Sequence, residues 1–351
     1  MFNSFSDLEN SSRTFIIAEA GSNWKCGNFD NDVQRGKELI KIAALSGADA
    51  VKFQTYRAEE TYVSNAGSSN YLSEQGIDDD ISKIFKNLEM PYKMISILAK
   101  YANEQKILFM STPFSVNNAK EIDPFVSIHK IASFEINHIR LIEFLAQTKK
   151  PLIISTGAST YDEIDFVVNL IKKTHNNIAL LQCTSKYPSP LQSLNLNVIP
   201  ELKLKYNVPV GLSDHSVEPI VGPVLAIGLG ASIIEKHFTI DKNLPGPDHK
   251  FALTPDELSQ MINSIRNGDR AKGNKIKTVL NEEKELQKFA KRSIQATKTI
   301  MKGEILKEGY NFDVLRPGNK LRGLEPRFLL SVNGKKSTKN IEIGEGILEY
   351  E

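Results

Sequence analysis

Polar and ionisable residues recur at the ends of eight short, mostly apolar segments of the chain. They include two lysines, Lys52 and Lys130, two histidines, His215 and His237, and a glutamate between two alanines, Glu19. Lysines with hydroxyl groups can bind an anion, paired imidazoles can bind a divalent metal ion, and a carboxylate can transfer protons. Hydroxyl groups stand near the ends of five of the segments: Thr112, Ser133, Ser155, Ser185 and Ser213.

The segment Ala50–Thr55 indicates how such residues are presented. Lys52 and Gln54 lie two residues apart, so in a β-strand both side chains lie on one face. Val51 and Phe53 then form the opposite, apolar face. If that apolar face packs against helices, Lys52 points inward, where an unpaired ammonium group is costly.

Two inward lysines in one pocket repel each other unless an anion lies between them. Lys130 is the second such lysine, and the backbone amides around Gly157 would help to complete a site for a phosphate or a carboxylate. The alternative for either lysine alone is a structural ion pair with a carboxylate such as Glu19 or Glu135. The two lysines together with the hydroxyl-bearing segments favour an anionic ligand.

His215 and His237 end the seventh and eighth segments, which are neighbours if the segments close into a ring. Two imidazoles on adjacent strand ends can bind one divalent metal ion. Spacing alone favours the other interpretation, one core histidine and one histidine at the rim, each with hydrogen-bond partners. An inward Asp214 side chain would join or orient the pair.

Glu19, Trp24 and Tyr187 each have two interpretations, whereas Cys183 has one. Glu19 is either a general acid and base or an ion-pair partner of Lys52. Cys183 is expected to pack as a small apolar side chain. Trp24 and Tyr187 follow strand ends, where each would either stack on a sugar ring or cover the core.

The apolar segments read as β-strands because they are short, rich in β-branched residues and bounded by turn residues. They are Phe15–Gly21, Ala50–Thr55, Ile107–Phe114, Ser127–Ser133, Pro151–Gly157, Ile178–Ser185, Pro209–Ser216 and Ser232–Thr239. Amphipathic patterns that predict helices separate most of them. Eight strands alternating with helices predict an α/β fold, a (β/α)8 TIM barrel, whose chemistry is done at the carboxyl ends of the strands. The alternative, an open doubly wound sheet, more often stops at five or six strands.

Two regions do not fit the alternation. Residues 57–90, after the second strand, are long and mostly polar, which is typical of either a lid over the barrel mouth or a disordered insertion. From Arg292 onward the pattern changes to short strands and turns. We therefore predict a barrel over residues 1–270, a linker over 271–291 and a small domain over 292–351, which is near the lower size limit for independent folding.

Composition narrows the class of protein. The chain has 351 residues, 40% hydrophobic and 25% charged, with 44 basic and 42 acidic side chains. This near-balance gives no basic field for nucleic acid, and no segment reads as a signal peptide or a membrane span. Two cysteines, Cys26 and Cys183, favour a reducing compartment over a disulfide framework. We expect a cytoplasmic protein.

These residues, in this order, resemble the sialic acid synthase family, whose members condense phosphoenolpyruvate with an N-acylated amino-hexose. GLSDH followed by KHFT and PGPD is the most specific part, and the resemblance covers nearly the whole chain. The matching stretches are IAEAG at Ile17–Gly21, VKFQT at Val51–Thr55, STPF at Ser111–Phe114, KIAS ending at Ser133, STG at Ser155–Gly157, CTSKYPSP at Cys183–Pro190, GLSDHS at Gly211–Ser216, EKHFT at Glu235–Thr239, PGPDH at Pro245–His249 and RPGN at Arg316–Asn319.

The resemblance implies a TIM barrel followed by an antifreeze-like (SAF) domain, in a homodimer whose small domains are swapped. It implies that Glu19 handles protons and that His215 and His237 bind a divalent ion, Mn²⁺ or Mg²⁺. It implies contacts with phosphoenolpyruvate from Lys52, Thr112, Lys130, Ser133, Ser155, Gly157, Ser185 and Ser213. It implies contacts with the amino-sugar from Gln54, Glu135, Tyr187, Asp248 and, from the partner chain, Arg316.

Departures from the family pattern lie at the expected pocket mouth. Trp24 stands where the family often has histidine, and Ser185 stands where asparagine is common. Three other functions remain open at this point: another phosphoenolpyruvate-dependent 3-deoxy-ulosonic acid synthase, a Schiff-base aldolase using Lys52 or Lys130, and a binding protein built around the C-terminal domain. The sequence does not identify the amino-sugar among N-acetylmannosamine and the 2,4-diacetamido-trideoxyhexoses.

Overall fold

The structure is a computed structural model that describes residue 5 and residues 13–68, 70–73 and 79–351. The chain divides into two compact units, Met1–Gly273 and Asn274–Glu351. The first unit carries the eight-stranded sheet, and the second carries a two-stranded sheet. Each unit is described by itself below.

The first unit contains the predicted ring of eight parallel strands. Neighbouring strands pair in the order β3-β2-β1-β8-β7-β6-β5-β4, and β3 also contacts β4, which closes the ring. The strands are β1 Phe15–Gly21, β2 Ala50–Thr55, β3 Leu108–Pro113, β4 His129–Ile131, β5 Leu152–Ser155, β6 Ile178–Cys183, β7 Val210–Asp214 and β8 Ile233–His237. The (β/α)8 barrel prediction is confirmed. Six of the strands are shorter than predicted, because the residues beyond their carboxyl ends turn into loops.

Helices follow the strands around the ring. They are α1 Phe29–Ser46, α2 Ala58–Thr61, α3 Asn70–Ser73, α4 Ile81–Asn87, α5 Tyr92–Glu104, α6 Val116–Ile122, α7 Ile139–Gln147, α8 Tyr161–Lys172, α9 Val198–Tyr206, α10 Val221–Gly228 and α11 Pro255–Lys272. Capping boxes at Thr160 and Thr254 fix the starts of α8 and α11. The sequence pattern did not predict α6. None of the helices in the described residues is long and apolar enough to cross a bilayer.

Alternate strand residues divide the core into two parts. Outward residues such as Val51 and Phe53 pack against the helices, as predicted. Inward strand residues such as Ile17 and Met110 form a separate apolar cluster inside the ring, and Phe5, which precedes β1, packs into it. Because this cluster fills the lower part of the barrel, polar inward residues are confined to its carboxyl end.

Residues 57–90 contain local structure rather than one long loop. They include α2, α3 and α4, and Leu72, Ile81 and Ile84 form a small apolar cluster of their own. Glu60 on α2 accepts hydrogen bonds from Ser115 Oγ and from the Asn117 and Asn118 side chains at the start of α6. These bonds attach the beginning of the segment to the β3 end of the barrel mouth. The lid function stays a prediction, and residues 69 and 74–78 lie outside the described residues.

The second unit has its own apolar core. Its elements are α12 Lys284–Ala290, β9 Ser293–Ala296, β10 Phe312–Leu315 and α13 Leu329–Val332, with β9 and β10 antiparallel. Ile294, Ile300 and Phe312 are among the buried residues of the core. Gln295 is buried, and its amide group donates hydrogen bonds to the Leu321 and Gly344 carbonyls, so polar groups also hold this unit together. The antifreeze-like identity of this unit stays a prediction.

Candidate active site

Inward side chains at the carboxyl ends of the strands lie in one polar layer above the apolar filling of the barrel. β-strand alternation places them there, because most of them follow an inward apolar residue by two positions, and Gln54 and His237 continue the same face beyond Lys52 and Glu235. Hydrogen bonds and ion pairs among them connect β1, β2, β3, β7 and β8 on one side and β4, β5 and β8 on the other. The members are Glu19, Lys52, Gln54, Thr112, Lys130, Ser155, Cys183, Ser213, Glu235 and His237.

Lys52 is buried between carboxylates of two different strands. Its Nζ lies 2.6 Å from Glu19 Oε2 and 3.6 Å from Glu235 Oε2, and it donates a hydrogen bond of 3.0 Å to Thr112 Oγ1. Burial alone would lower the pKa of Lys52, but Glu19 and Glu235 outweigh burial, so the pKa is raised and the ammonium stays charged. The ion-pair interpretation of Glu19 is therefore correct for this state of the site.

Lys130 lies on the other side of the layer. Its Nζ donates hydrogen bonds to Ser155 Oγ at 2.7 Å and to the Ile131 carbonyl at 3.0 Å, and lies 3.7 Å from Glu235 Oε1. Burial, with the repulsion of Lys52, lowers the pKa of Lys130 despite the attraction of Glu235. The partner suggested from sequence for a structural pair, Glu135, forms no ion pair with Lys130 in the described residues.

Glu235 belongs to this layer, although the sequence analysis assigned it no role. Its Oε1 accepts a hydrogen bond of 2.9 Å from Ser213 Oγ, and its two oxygens face the two lysines. Burial would raise the pKa of Glu235, but Lys130 and Lys52 outweigh it, so the pKa is lowered. The EKHFT motif could have predicted that Glu235 points into the site, because Glu235 and His237 lie on the same face of one strand.

Gly157 forms a close backbone approach beside Lys130. Its N–H donates a hydrogen bond of 3.0 Å to Ser133 Oγ, and a β-carbon at this position would lie 2.8 Å from that oxygen and would clash with Ser185 Oγ. Ser185 Oγ is buried and has no hydrogen-bond partner among the described residues. Hydroxyls and an amide crowded around a glycine are typical of a site for a phosphate or carboxylate oxygen.

The two histidines lie together at the β7 and β8 ends. The centres of the His215 and His237 rings are 5.5 Å apart, and the Tyr187 ring lies 4.2 Å from the ring of His215. Phe251 covers His237 at a ring distance of 5.0 Å. The structure therefore brings the predicted pair into one aromatic-walled corner of the layer.

The two imidazoles fit a divalent metal ion. His215 Nδ1 lies 3.0 Å from the Thr184 carbonyl, which favours a proton on Nδ1 and leaves Nε2 as a metal ligand. His237 Nδ1 is buried without a partner among the described residues, and burial with neighbouring cations lowers the pKa of His237 well below its usual range, so the ring is neutral. No described group of three or more His, Cys, Asp or Glu side chains forms a complete metal site. Substrate and water would supply the other ligands.

Carboxylates and an amide line the side of the layer next to β1. Gln54 Nε2 donates a hydrogen bond of 3.1 Å to Glu19 Oε1, and burial raises the pKa of Glu19 to about 7 although Lys52 opposes the shift. Asp248 accepts a hydrogen bond of 3.1 Å from Ser22 Oγ. Gly21 has φ +51°, and a β-carbon there would lie 2.7 Å from Asp248 Oδ2 and 3.4 Å from Glu19 Oε1, so glycine lets these carboxylates approach.

The structure decides three interpretations that the sequence analysis left open or incomplete. Asp214 does not join the histidines: it is the last residue of β7 and follows the inward Ser213, so its side chain faces outward and pairs with Lys236. Trp24 is 1% exposed and packs in the core between barrel and helices, so it covers the barrel instead of presenting a face to a sugar. Cys183 does not pack merely as a small apolar side chain, because its Sγ lies 3.8 Å from His215 Nδ1 at the edge of the site.

Burial of the Glu135 carboxyl group shifts its pKa, and this shift has a testable effect on stability. Its side chain is buried, its Oε2 has no partner among the described residues, and burial raises its pKa to about 7 despite Lys130. The folded state therefore holds a proton that the unfolded state releases above about pH 4.5. Stability from this group is present at low pH and is lost as the pH rises through 7.

We expect Glu135→Gln to be more stable than the wild type at pH 8, by about 2–3 kcal/mol, and equally stable at pH 4.5. Urea unfolding at the two pH values measures the difference. The exposed Glu143 on α7 provides the control, Glu143→Gln, which should show no such pH-dependent gain. A Glu135→Gln protein that is less stable than the wild type at pH 8 would contradict the assigned shift.

Arg316 is the one predicted site residue outside the first unit. It is exposed and follows β10. Its contact with an amino-sugar bound to a partner chain therefore stays a prediction. The other predicted residues lie at the carboxyl ends of barrel strands or in the loops that follow them.

Comparisons with known proteins identify relatives of the whole chain. Residues 39–277 match the NeuB family. The chain is 39% identical to spore coat polysaccharide biosynthesis protein SpsE of Bacillus subtilis, covering 95% of this chain and 92% of that protein. It is 37% identical to N,N'-diacetyllegionaminic acid synthase of Campylobacter jejuni, covering 96% and 99%. The solved N-acetylneuraminic acid (sialic acid) synthetase of Leptospira borgpetersenii, in complex with citrate, is 34% identical with a TM-score of 0.69, covering 78% of this chain and 90% of that chain.

The family match spans more than half of the chain, and the relatives match it over nearly their full lengths. The relatives from Campylobacter jejuni and Leptospira borgpetersenii are named a synthase and a synthetase. The chain is therefore an enzyme of the synthase type, and it belongs to the sialic acid synthase (NeuB) family.

Proposed function

We propose that this enzyme condenses phosphoenolpyruvate with an unphosphorylated N-acylated amino-hexose and water to give a nonulosonic acid and inorganic phosphate. The observation that carries the proposal is the pair of buried lysines, Lys52 and Lys130, beside the paired imidazoles of His215 and His237. The lysines would bind the anionic enol phosphate, and a metal ion on the histidines would bind the aldehyde. Both would lie at one barrel mouth, so the two reactants could come into contact. The relatives' names support this substrate class.

The anionic substrate would bind across the two lysines. Phosphoenolpyruvate has a phosphate and a carboxylate, and the site has two ammonium groups with hydroxyls around them. Thr112 and Ser155, which already bond to Lys52 and Lys130, would share the phosphate and carboxylate oxygens with Ser185, Ser133 and the amide near Gly157. Holding both anionic ends fixes the C2–C3 enol bond in one orientation toward the histidine corner.

The amino-sugar would bind on the carboxylate side, against Gln54, Glu135, Asp248 and Tyr187. Lys130, Lys52 and His215 are the cations that act on the pKa values of Glu135 and Asp248, and the proposal assigns them to the enol phosphate and to the metal ion. A second phosphate on the sugar would therefore lie against carboxylates. This charge pattern favours an unphosphorylated sugar over the phosphorylated aldose of the alternative synthase.

The bond changes follow from this placement. C3 of phosphoenolpyruvate attacks the aldehyde carbon of the open-chain sugar, water adds to C2, and phosphate leaves with its bridging oxygen as the C2–O bond breaks. A divalent ion held by His215 and His237 would polarise the aldehyde oxygen. Glu19, whose pKa is about 7, can take the proton from the attacking water at neutral pH, and Lys52 neutralises the phosphate charge.

Phosphate release tests the proposal. The full-length enzyme with Mn²⁺ and phosphoenolpyruvate should release phosphate only when an N-acyl amino-hexose is added, and not with its 6-phosphate. Assaying N-acetylmannosamine and 2,4-diacetamido-trideoxyhexoses in parallel identifies the sugar. Phosphate release with phosphorylated sugars alone would support the alternative synthase, and covalent trapping of substrate on a lysine by borohydride would support an aldolase.

We also propose the swapped homodimer that the family resemblance implies, with Arg316 of one chain completing the amino-sugar site of the other. Arg316→Ala should then raise the KM for the sugar more than the KM for phosphoenolpyruvate. Mixing inactive Lys52→Met chains with Arg316→Ala chains, after unfolding and refolding together, should restore up to about a quarter of wild-type activity, because half of the dimers then contain one intact site of two. Activity no higher than that of the Arg316→Ala enzyme alone would argue against a shared site. Control mixtures contain only one variant.

A further inference from the structure

Glu235 is a buried charge that the proposed reaction does not use. Its side chain is 7% exposed on the inner face of β8, with Oε2 3.6 Å from Lys52 Nζ and Oε1 3.7 Å from Lys130 Nζ. Ser213 Oγ donates a hydrogen bond of 2.9 Å to Oε1 and so fixes the carboxylate between the two lysines. Both ammonium groups face one carboxylate.

The separations indicate how this carboxylate acts. Charge-assisted hydrogen bonds between nitrogen and oxygen are usually about 2.7–2.9 Å long, and both lysine contacts of Glu235 are longer. Each lysine has a closer partner elsewhere, Glu19 for Lys52 and Ser155 for Lys130. Glu235 therefore acts on the lysines mainly through its charge, at a distance where attraction in a low-dielectric site is still strong.

We propose that Glu235 is a positioning residue whose carboxylate keeps Lys52 and Lys130 at a set spacing and weakens anion binding enough for inorganic phosphate to leave. The proposal rests on the proposed function, because it assumes that the two lysines hold phosphoenolpyruvate. An entering phosphate must compete with Glu235 for the same two ammonium groups. The same competition helps to expel the product phosphate, and product release limits turnover in many enzymes.

Glu235→Gln tests the charge while keeping the shape. The amide oxygen of glutamine can still accept the Ser213 hydrogen bond, so the layer keeps its packing and loses one negative charge. We expect inorganic phosphate and phosphoenolpyruvate to bind about tenfold more tightly or better, and turnover to fall because phosphate leaves more slowly. A purely structural glutamate predicts the opposite, because displaced lysines would bind both anions more weakly.

Calorimetric titration of the full-length protein with inorganic phosphate, and separately with phosphoenolpyruvate, measures these affinities at a fixed Mn²⁺ concentration. Glu235→Asp keeps the charge and should bind phosphate within a few-fold of the wild type. Asp269→Asn is the matched control: Asp269 is also 7% exposed and hydrogen-bonded, to Thr14, but it lies at the opposite end of the barrel. It should leave both affinities unchanged.

The outcomes separate this inference from the proposed function. If the wild type binds neither anion, the proposed function is wrong. If the wild type binds both but Glu235→Gln binds them equally or more weakly, the role of Glu235 is wrong. Should Glu235→Gln fail to fold, Glu235→Asp still decides, because a tenfold or larger change in its phosphate affinity would contradict a role based on charge.

Discussion

Replacing Lys52 with methionine is expected to remove condensation activity, with kcat/KM for phosphoenolpyruvate lower by about 10²–10³-fold. Methionine fills a similar volume but takes one ammonium group from the anion site, and losing one partner of a buried charge pair costs about 2–5 kcal/mol. The substitution also removes the cation that Glu19 and Glu235 share, so these two carboxylates would repel the phosphate more strongly. Steady-state phosphate release and calorimetric titration with phosphoenolpyruvate measure the two effects.

Lys150→Met is the control for Lys52→Met. Lys150 is paired with Asp123, but it precedes β5 and so lies at the amino end of the barrel. Its loss should leave affinity for phosphoenolpyruvate unchanged. Wild-type affinity in the Lys52→Met protein would contradict the anion site itself, and reduced affinity in both variants would indicate a general loss of folding.

The second large effect is expected from His237→Ala. It removes one of the two imidazoles that would hold the divalent ion, so turnover should fall by about 10³-fold or more while the barrel stays folded. Mn²⁺ affinity should fall by at least the 10–100-fold that is typical when only an outer partner of a ligand is lost. Electron paramagnetic resonance of bound Mn²⁺ measures this independently of activity, and circular dichroism measures the fold.

His129 provides the matched control for His237. Its ring is completely buried and bonded to Asp123, at the first residue of β4 and so at the amino end of the barrel. His129→Gln should lower stability without changing Mn²⁺ affinity. Unchanged Mn²⁺ binding in His237→Ala would show that the ion binds elsewhere, and the assignment of the metal to the histidine pair would then be wrong.

The barrel was predictable from the sequence because its strands carry local signals. Alternation in Ala50–Thr55 assigns Lys52 to the inside before any contact is known, and the same argument applies to Lys130. The helix α6 was missed because its seven residues offer too few apolar positions to display a helical period. Strand ends were overestimated because polar residues just beyond a strand have no local feature that separates them from its last residues.

Partners within the site were less predictable than its members. Glu235 and the two lysines come from strands far apart in sequence, and only closure of the ring brings β8 next to β1 and within reach of β2 and β4. Asp214 faces outward because β7 extends through it, and its ion pair with Lys236 of β8 forms only when the two strands lie side by side. Such details depend on long-range packing, which a local pattern does not encode.

The segment Glu235-Lys236-His237 of β8 cannot accept an inserted or deleted residue without exchanging its two faces. Its first and third side chains belong to the reaction layer, whereas the middle one, paired with Asp214, anchors the strand to the surrounding shell. Adding or deleting one residue would exchange these positions and bury the wrong charges on both sides. Natural or laboratory-selected variants should therefore differ in this strand by substitutions only. Insertions and deletions should occur in the loops, where they can change the sugar preference without altering the phosphate half of the site.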